Sequence, residues 1–72
     1  MGTAQDRIME HARDLGEFTT TDMVRRIYGE QYTVYAHQNT YTKLAKLATW
    51  GDLTKVGRRK VRGQYQIVWR VA

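Results

Sequence analysis

Residues 53–71 constrain the fold more than any other stretch of the chain. Leu53-Thr54-Lys55-Val56 and Gln64-Tyr65-Gln66-Ile67-Val68-Trp69-Arg70-Val71 read as two strands, the first shorter than the second. In the second, Tyr65, Ile67, Trp69 and Val71 alternate with Gln64, Gln66, Val68 and Arg70, the period of a strand with one buried face. Between the strands, Gly57-Arg58-Arg59-Lys60-Val61-Arg62-Gly63 predicts a loop with a glycine at each end and four cations in five positions. A loop of that charge repels itself and is stabilised by something negative that it touches. Nucleic-acid phosphate is the commonest such partner, although a membrane surface or an acidic protein would satisfy the same field.

The remainder predicts three helices. The first is expected over about 4–15, with Thr3 as N-cap, Asp6 three residues on and Gly16 as the stop; Ile8, Ala12 and Leu15 share one face, with Met9 beside them. The second is expected over about 20–28. Phe18-Thr19-Thr20-Thr21-Asp22-Met23 places Thr19 at the N-cap, Asp22 at the third helical position, and Phe18 where it can staple against Met23. Met23, Val24 and Ile27 form its apolar stripe, and Glu17-Phe18-Thr19 can pair as a short strand.

The third helix is expected over about 34–50, from Thr33 as N-cap to Gly51 as terminator. At 100° per residue, Val34, Tyr41, Leu44, Ala45 and Ala48 gather on one side with His37 among them, and Leu47 borders them. The other side carries Tyr35, Asn39, Thr42, Lys43 and Lys46, flanked by Ala36 and Gln38: hydrogen-bonding groups and two cations, but no acid. Trp50 lies toward this polar side, while Trp69 reads as core.

At 72 residues the chain is one small domain, near the size at which a single core supports itself. The absence of cysteine removes disulfides and thiolate zinc sites, favours a reducing compartment and makes a cytoplasmic location the expectation. His11 and His37 have no metal-binding spacing, so neither a metal nor another cofactor is expected. No apolar run approaches the roughly 20 residues of a membrane span. The start, Met1-Gly2-Thr3-Ala4-Gln5-Asp6, lacks the apolar run of a signal peptide, and Asp6 breaks the myristoylation pattern. The net charge of +5 is unevenly spread: residues 1–30 sum to −2 and residues 31–72 to +7. One half of the chain can serve as scaffold while the other meets a polyanion.

Three short helices followed by a hairpin with a basic tip resemble the winged helix-turn-helix family over nearly the whole chain. The residues that carry the resemblance are Phe18-Thr19-Thr20-Thr21-Asp22-Met23 and Leu44-Ala45-Lys46-Leu47-Ala48-Thr49-Trp50-Gly51-Asp52-Leu53. The second segment is similar to the family's frequent ending of the recognition helix: a leucine pair, then a glycine-containing turn into the first wing strand. The resemblance implies an α+β fold, a three-helix helix-turn-helix core with a C-terminal β-hairpin wing. It also implies a double-stranded DNA partner, with the third helix in the major groove and the wing on the neighbouring backbone or minor groove. On that reading Gln38, Asn39 and Thr42 meet bases, Asn39 by a bidentate pair with adenine. Thr33, Tyr35, Lys43 and Lys46 suit the backbone, and Arg58, Arg59, Lys60 and Arg62 are the wing contacts.

An enzyme lacks its parts here. No nucleophile sits near a base in a known pattern, no Gly-rich phosphate loop is present, and the chain is short for a sizeable small-molecule pocket. The leading expectation is a small transcriptional regulator. Two alternatives stand beside it: a winged-helix module docking on an acidic protein, and an architectural DNA-bending factor resembling phage excisionases. RNA is less favoured, because the strand lacks the paired surface aromatics of an RNA-recognition sheet. Nothing after Val71-Ala72 supplies a dimerising helix, so a monomer in solution is expected, with pairing on DNA, or a place within a longer protein, left open.

Overall fold

The computed structural model describes residues 3–72; Met1 and Gly2, where the targeting patterns begin, lie outside the described residues. The order of elements is α1 (Ala4–Leu15), β1 (Phe18–Thr19), α2 (Thr20–Tyr28), α3 (Val34–Thr49), β2 (Leu53–Val61) and β3 (Gln64–Val71). The fold is α+β, with three helices and an antiparallel three-stranded sheet in the order β1-β3-β2.

Local chemistry sets the helix ends. In α1 and α2 a threonine cap and the third-position aspartate bond reciprocally: Thr3 with Asp6, and Thr19 with Asp22. α3 ends one residue before the expected 50, with Trp50 as its cap. Gly51, at φ 89°, donates to the Ala48 carbonyl, and Asp52 donates to that of Leu47. This paired turn needs a left-handed residue, which glycine adopts without strain, and it aims the chain into β2.

One core unites the elements: Ile8 and Ala12 of α1, Phe18 of β1, Met23 of α2, Leu44 and Leu47 of α3, Leu53 of β2 and Trp69 of β3. Trp69 is its largest fully buried side chain. β1 adds only two residues to the sheet, Phe18 opposite Trp69 and Thr19 opposite Val68, yet it makes β3 a central strand at that point. Val68 and Trp69 are therefore both buried although they point to opposite faces. Strict alternation misplaces the far end of the strand, where Tyr65 is 70% exposed.

The stretch 57–63 is not a loop. Gly57 to Val61 belong to β2, and Arg58, Arg59 and Lys60 stand opposite Ile67, Gln66 and Tyr65. Only Arg62 and Gly63 turn the chain, both at positive φ (50° and 84°), the geometry of a two-residue hairpin turn whose twist matches that of the strands. Backbone pairing along β3 holds the cations in an extended row despite their mutual repulsion.

Candidate nucleic-acid interface

The first turn of α2 is the hub that positions the hairpin. Thr20 Oγ1 accepts the Trp69 indole N–H at 3.3 Å. The Thr21 backbone N–H and hydroxyl both donate to Gln66 Oε1, at 3.2 and 2.9 Å. Asp22 Oδ2 accepts the cap N–H of Thr19 at 2.9 Å and lies 3.3 Å from Arg59 Nη1. Three consecutive residues thus hold three hairpin side chains, Trp69 near the base and the facing pair Gln66 and Arg59 further out.

The same hub reaches α3. His37 Nε2 lies 3.3 Å from Thr21 Oγ1. With the hydroxyl donating to Gln66, Thr21 Oγ1 is left as an acceptor facing the imidazole. The Tyr32 ring stands 6.2 Å from the His37 ring, centroid to centroid. His37 is half-buried and tied to the side chain of Thr21. Through this chain the first turn of α3 and the hairpin are fixed side by side, and His37, Arg62 and Gln64 line one open cleft between them.

A β-bulge decides which cations share a face. Lys55 pairs with Trp69 and Gly57 with Val68, so Val56 is the extra residue. Unbulged alternation would put Arg59 on the face of Leu53 and Lys55. The bulge instead turns Arg59 to the face of Gln66, toward Asp22, and sends Arg58 and Lys60 to the opposite face beside Ile67 and Tyr65. Lys55 spans the indole of Trp69, its Nζ 5.7 Å from the ring centroid. Among the described residues, Arg58, Lys60 and Arg62 take part in no ion pair, whereas Arg59 does.

α3 is rotated relative to its expected wheel. Its buried line is Thr40, Leu44 and Leu47. Val34 is 77% exposed and Tyr41 is also on the surface, its ring edge toward Trp69, so the placement of both on the buried side is corrected. The cause is that Thr40, polar but small, takes the position facing α1 and α2, which no hydrophobicity-weighted wheel would choose.

Of the expected base contacts, Gln38, Asn39 and Thr42 are all exposed, and Thr42 donates its hydroxyl to the Gln38 carbonyl at 3.0 Å. Tyr35 and Lys46 are exposed, and Thr33 is exposed while its Oγ1 accepts the Ala36 N–H at 3.1 Å. Lys43 stands apart: half-buried, it lines the groove toward Arg7 and Tyr28, away from Lys46. Trp50 is 62% exposed. The residues that sequence reasoning did not assign to the site are Thr21 and Gln66, joined across 45 positions, and Asp22, known only as a cap. The glycine after Val56 was the one available signal of the bulge.

No acidic residue occurs between Tyr32 and Gly51, so all of α3 presents neutral or positive chemistry. No helix is long and apolar enough to cross a membrane among the described residues. Among the same residues no three His, Asp or Glu side chains gather where they could hold a metal ion. Comparison with protein-family models, with curated proteins and with solved structures found no match.

Proposed function

We propose that this chain is a winged helix-turn-helix domain that binds double-stranded DNA and serves as a small transcriptional regulator. α3 enters the major groove and the β2–β3 hairpin lies along the adjoining backbone or minor groove. The observation that carries this reading is the adjacency of two surfaces. The acid-free exposed face of α3 is locked through His37–Thr21–Gln66 beside a hairpin bearing Arg58, Lys60 and Arg62. The order of helices and strands is compatible with that family.

The roles follow from side-chain chemistry. Gln38 and Asn39 each offer the donor–acceptor pair that adenine's major-groove edge requires, and Thr42 offers a methyl group to thymine. Lys46, Tyr35 and the helix start at Thr33 suit phosphates, which fix register without reading sequence. Lys43, facing α1, contributes to the field more than to contact. Arg58, Lys60 and Arg62 neutralise backbone phosphates.

A second reading is supported by exposed Val34, Tyr35 and Tyr65, apolar surface that a partner protein can cover while the cations meet its acids. One titration separates the two. In NMR spectra recorded at low salt with a random duplex, DNA binding shifts amides of both α3 and the hairpin. Shifts absent from both elements, with shifts on adding an acidic peptide, would replace the DNA reading by the protein one.

A further inference from the structure

We propose that Asp22 acts as an internal rival of phosphate for Arg59, lowering affinity for non-target DNA; this rests on the DNA-binding reading above. Asp22 Oδ2 already has its capping partner, the Thr19 N–H at 2.9 Å, and α2 needs nothing more from it. Yet Arg59 Nη1 reaches the same oxygen at 3.3 Å. Both side chains are partly solvent-exposed, so the pair contributes little to stability. Its geometry is nonetheless built: the Val56 bulge turns Arg59 to that face, and Gln66, directly opposite Arg59, is fastened to Thr21, the neighbour of Asp22.

The consequence lies in how background affinity arises. Non-specific binding grows with the number of phosphates neutralised, each contributing about 0.9 to the slope of log K against log salt. Among the described residues, no acid pairs with Arg58, Lys60 or Arg62. Arg59 carries charge already answered by Asp22, so a phosphate gains it only by displacing that carboxylate. Of the four cations between Gly57 and Gly63, three therefore stand ready and one is held in reserve.

The test is a double-mutant cycle on a random-sequence duplex, read by fluorescence anisotropy between about 50 and about 200 mM salt. Asp22→Asn keeps an oxygen for the Thr19 N–H while removing the charge. It is expected to bind roughly two- to fivefold tighter at the low-salt end, the scale of an exposed ion pair. Its salt slope should also steepen by up to about 0.9. In the Arg59→Ala background the same change should have no such effect. A gain that persists without Arg59 would reduce Asp22 to a general repulsive charge and overturn the proposal, as would an unchanged slope in D22N. Arg59→Ala alone keeps the proposal falsifiable if D22N fails to fold. It should flatten the slope by clearly less than Lys60→Ala does, and a full loss of about 0.9 would show Arg59 already on phosphate. Failure of the unsubstituted chain to bind any duplex would defeat the DNA reading itself, an outcome distinct from each of these.

Discussion

The N-termini of α2 and α3 begin alike and end in different states. Each is capped by a threonine whose Oγ1 accepts the third-position N–H, at 3.2 Å in α2 and 3.1 Å in α3. In α2 that third residue is Asp22, which answers the positive helix end and also holds Arg59. In α3 it is Ala36, and no acid stands in the first turn. One side chain thus separates a helix end closed by an anion of its own chain from one left open to an anion from outside. α2's end holds the hairpin; α3's end, on the DNA-binding reading, meets phosphate. Apart from Asp22, whose ion pair with Arg59 bears on binding, substitutions at the first should therefore be felt in stability, and those at the second in binding.

The hairpin's seat on the body gives the largest effect. Trp69 is fully buried and its indole N–H is held by Thr20. Trp69→Ala should cost about 3–5 kcal/mol in a urea denaturation series, enough to unfold a domain of this size. Trp50→Ala, at an exposed cap, should stay within about 0.5 kcal/mol. Equal losses at the two tryptophans would dissolve the distinction between the seat of the hairpin and the exposed surface.

Next in size is the hydroxyl that joins three elements. Thr21→Val keeps shape and the backbone N–H but removes the hydroxyl donor to Gln66 and the acceptor for His37, at an expected cost of about 1–2 kcal/mol. Hydrogen exchange should quicken in the hairpin and at the start of α3 together. Thr42→Val also deletes a bonded hydroxyl, but an exposed one on α3, and should leave stability within about 0.5 kcal/mol. A Thr21→Val variant whose hairpin loosens while α3 stays protected would show that the hub does not couple them.

The two helix ends also differ in how far they could be read from sequence. Thr19 and Asp22, or Thr33 and Gly51, act within a few residues, so their chemistry is legible locally, and all three helices fell within one residue of expectation. Thr21 and Gln66 meet across 45 positions, and nothing in either one's neighbourhood announces the other. The rotation of α3 was hidden for a different reason: Thr40 is buried while Val34 and Tyr41 are not, inverting the hydrophobic weights on which a wheel depends. The charged row was visible as composition but not as geometry. Arg58, Arg59 and Lys60 look like a loop until the pairing with β3 is known, and the bulge at Val56 then reverses which of them face α2. The exposure of Gln38, Asn39 and Thr42 was legible because a surface position on α3 tolerates a modest error in the wheel.

A substitution can convert one helix end into the other. Ala36→Asp would give α3 the reciprocal cap that α2 has, raising stability by about 0.3–1 kcal/mol in thermal or urea unfolding. The same carboxylate would stand where phosphate is expected, weakening duplex binding by about 1 kcal/mol or more. Stability up and affinity down is the expected pair. Unchanged affinity in a more stable variant would place the phosphate path away from the start of α3.

The smallest effect concerns Arg62, the one described non-glycine residue at positive φ. At the first position of a two-residue hairpin turn, asparagine, aspartate or glycine fits that conformation with less strain than arginine. A long cation kept at φ 50° therefore carries a local cost, and such costs gather where function requires the side chain. Arg62 sits in the hairpin turn and lines one cleft with His37 of α3 and Gln64. Arg62→Asn should raise stability by about 0.5–1 kcal/mol through relief of the turn, and should flatten the salt dependence of duplex binding by about 0.9. Arg62→Lys keeps the charge and the strain, so it should restore most of the slope without the gain in stability. A stabilised Arg62→Asn variant with its salt slope intact would mean that the turn's strain serves no contact with phosphate.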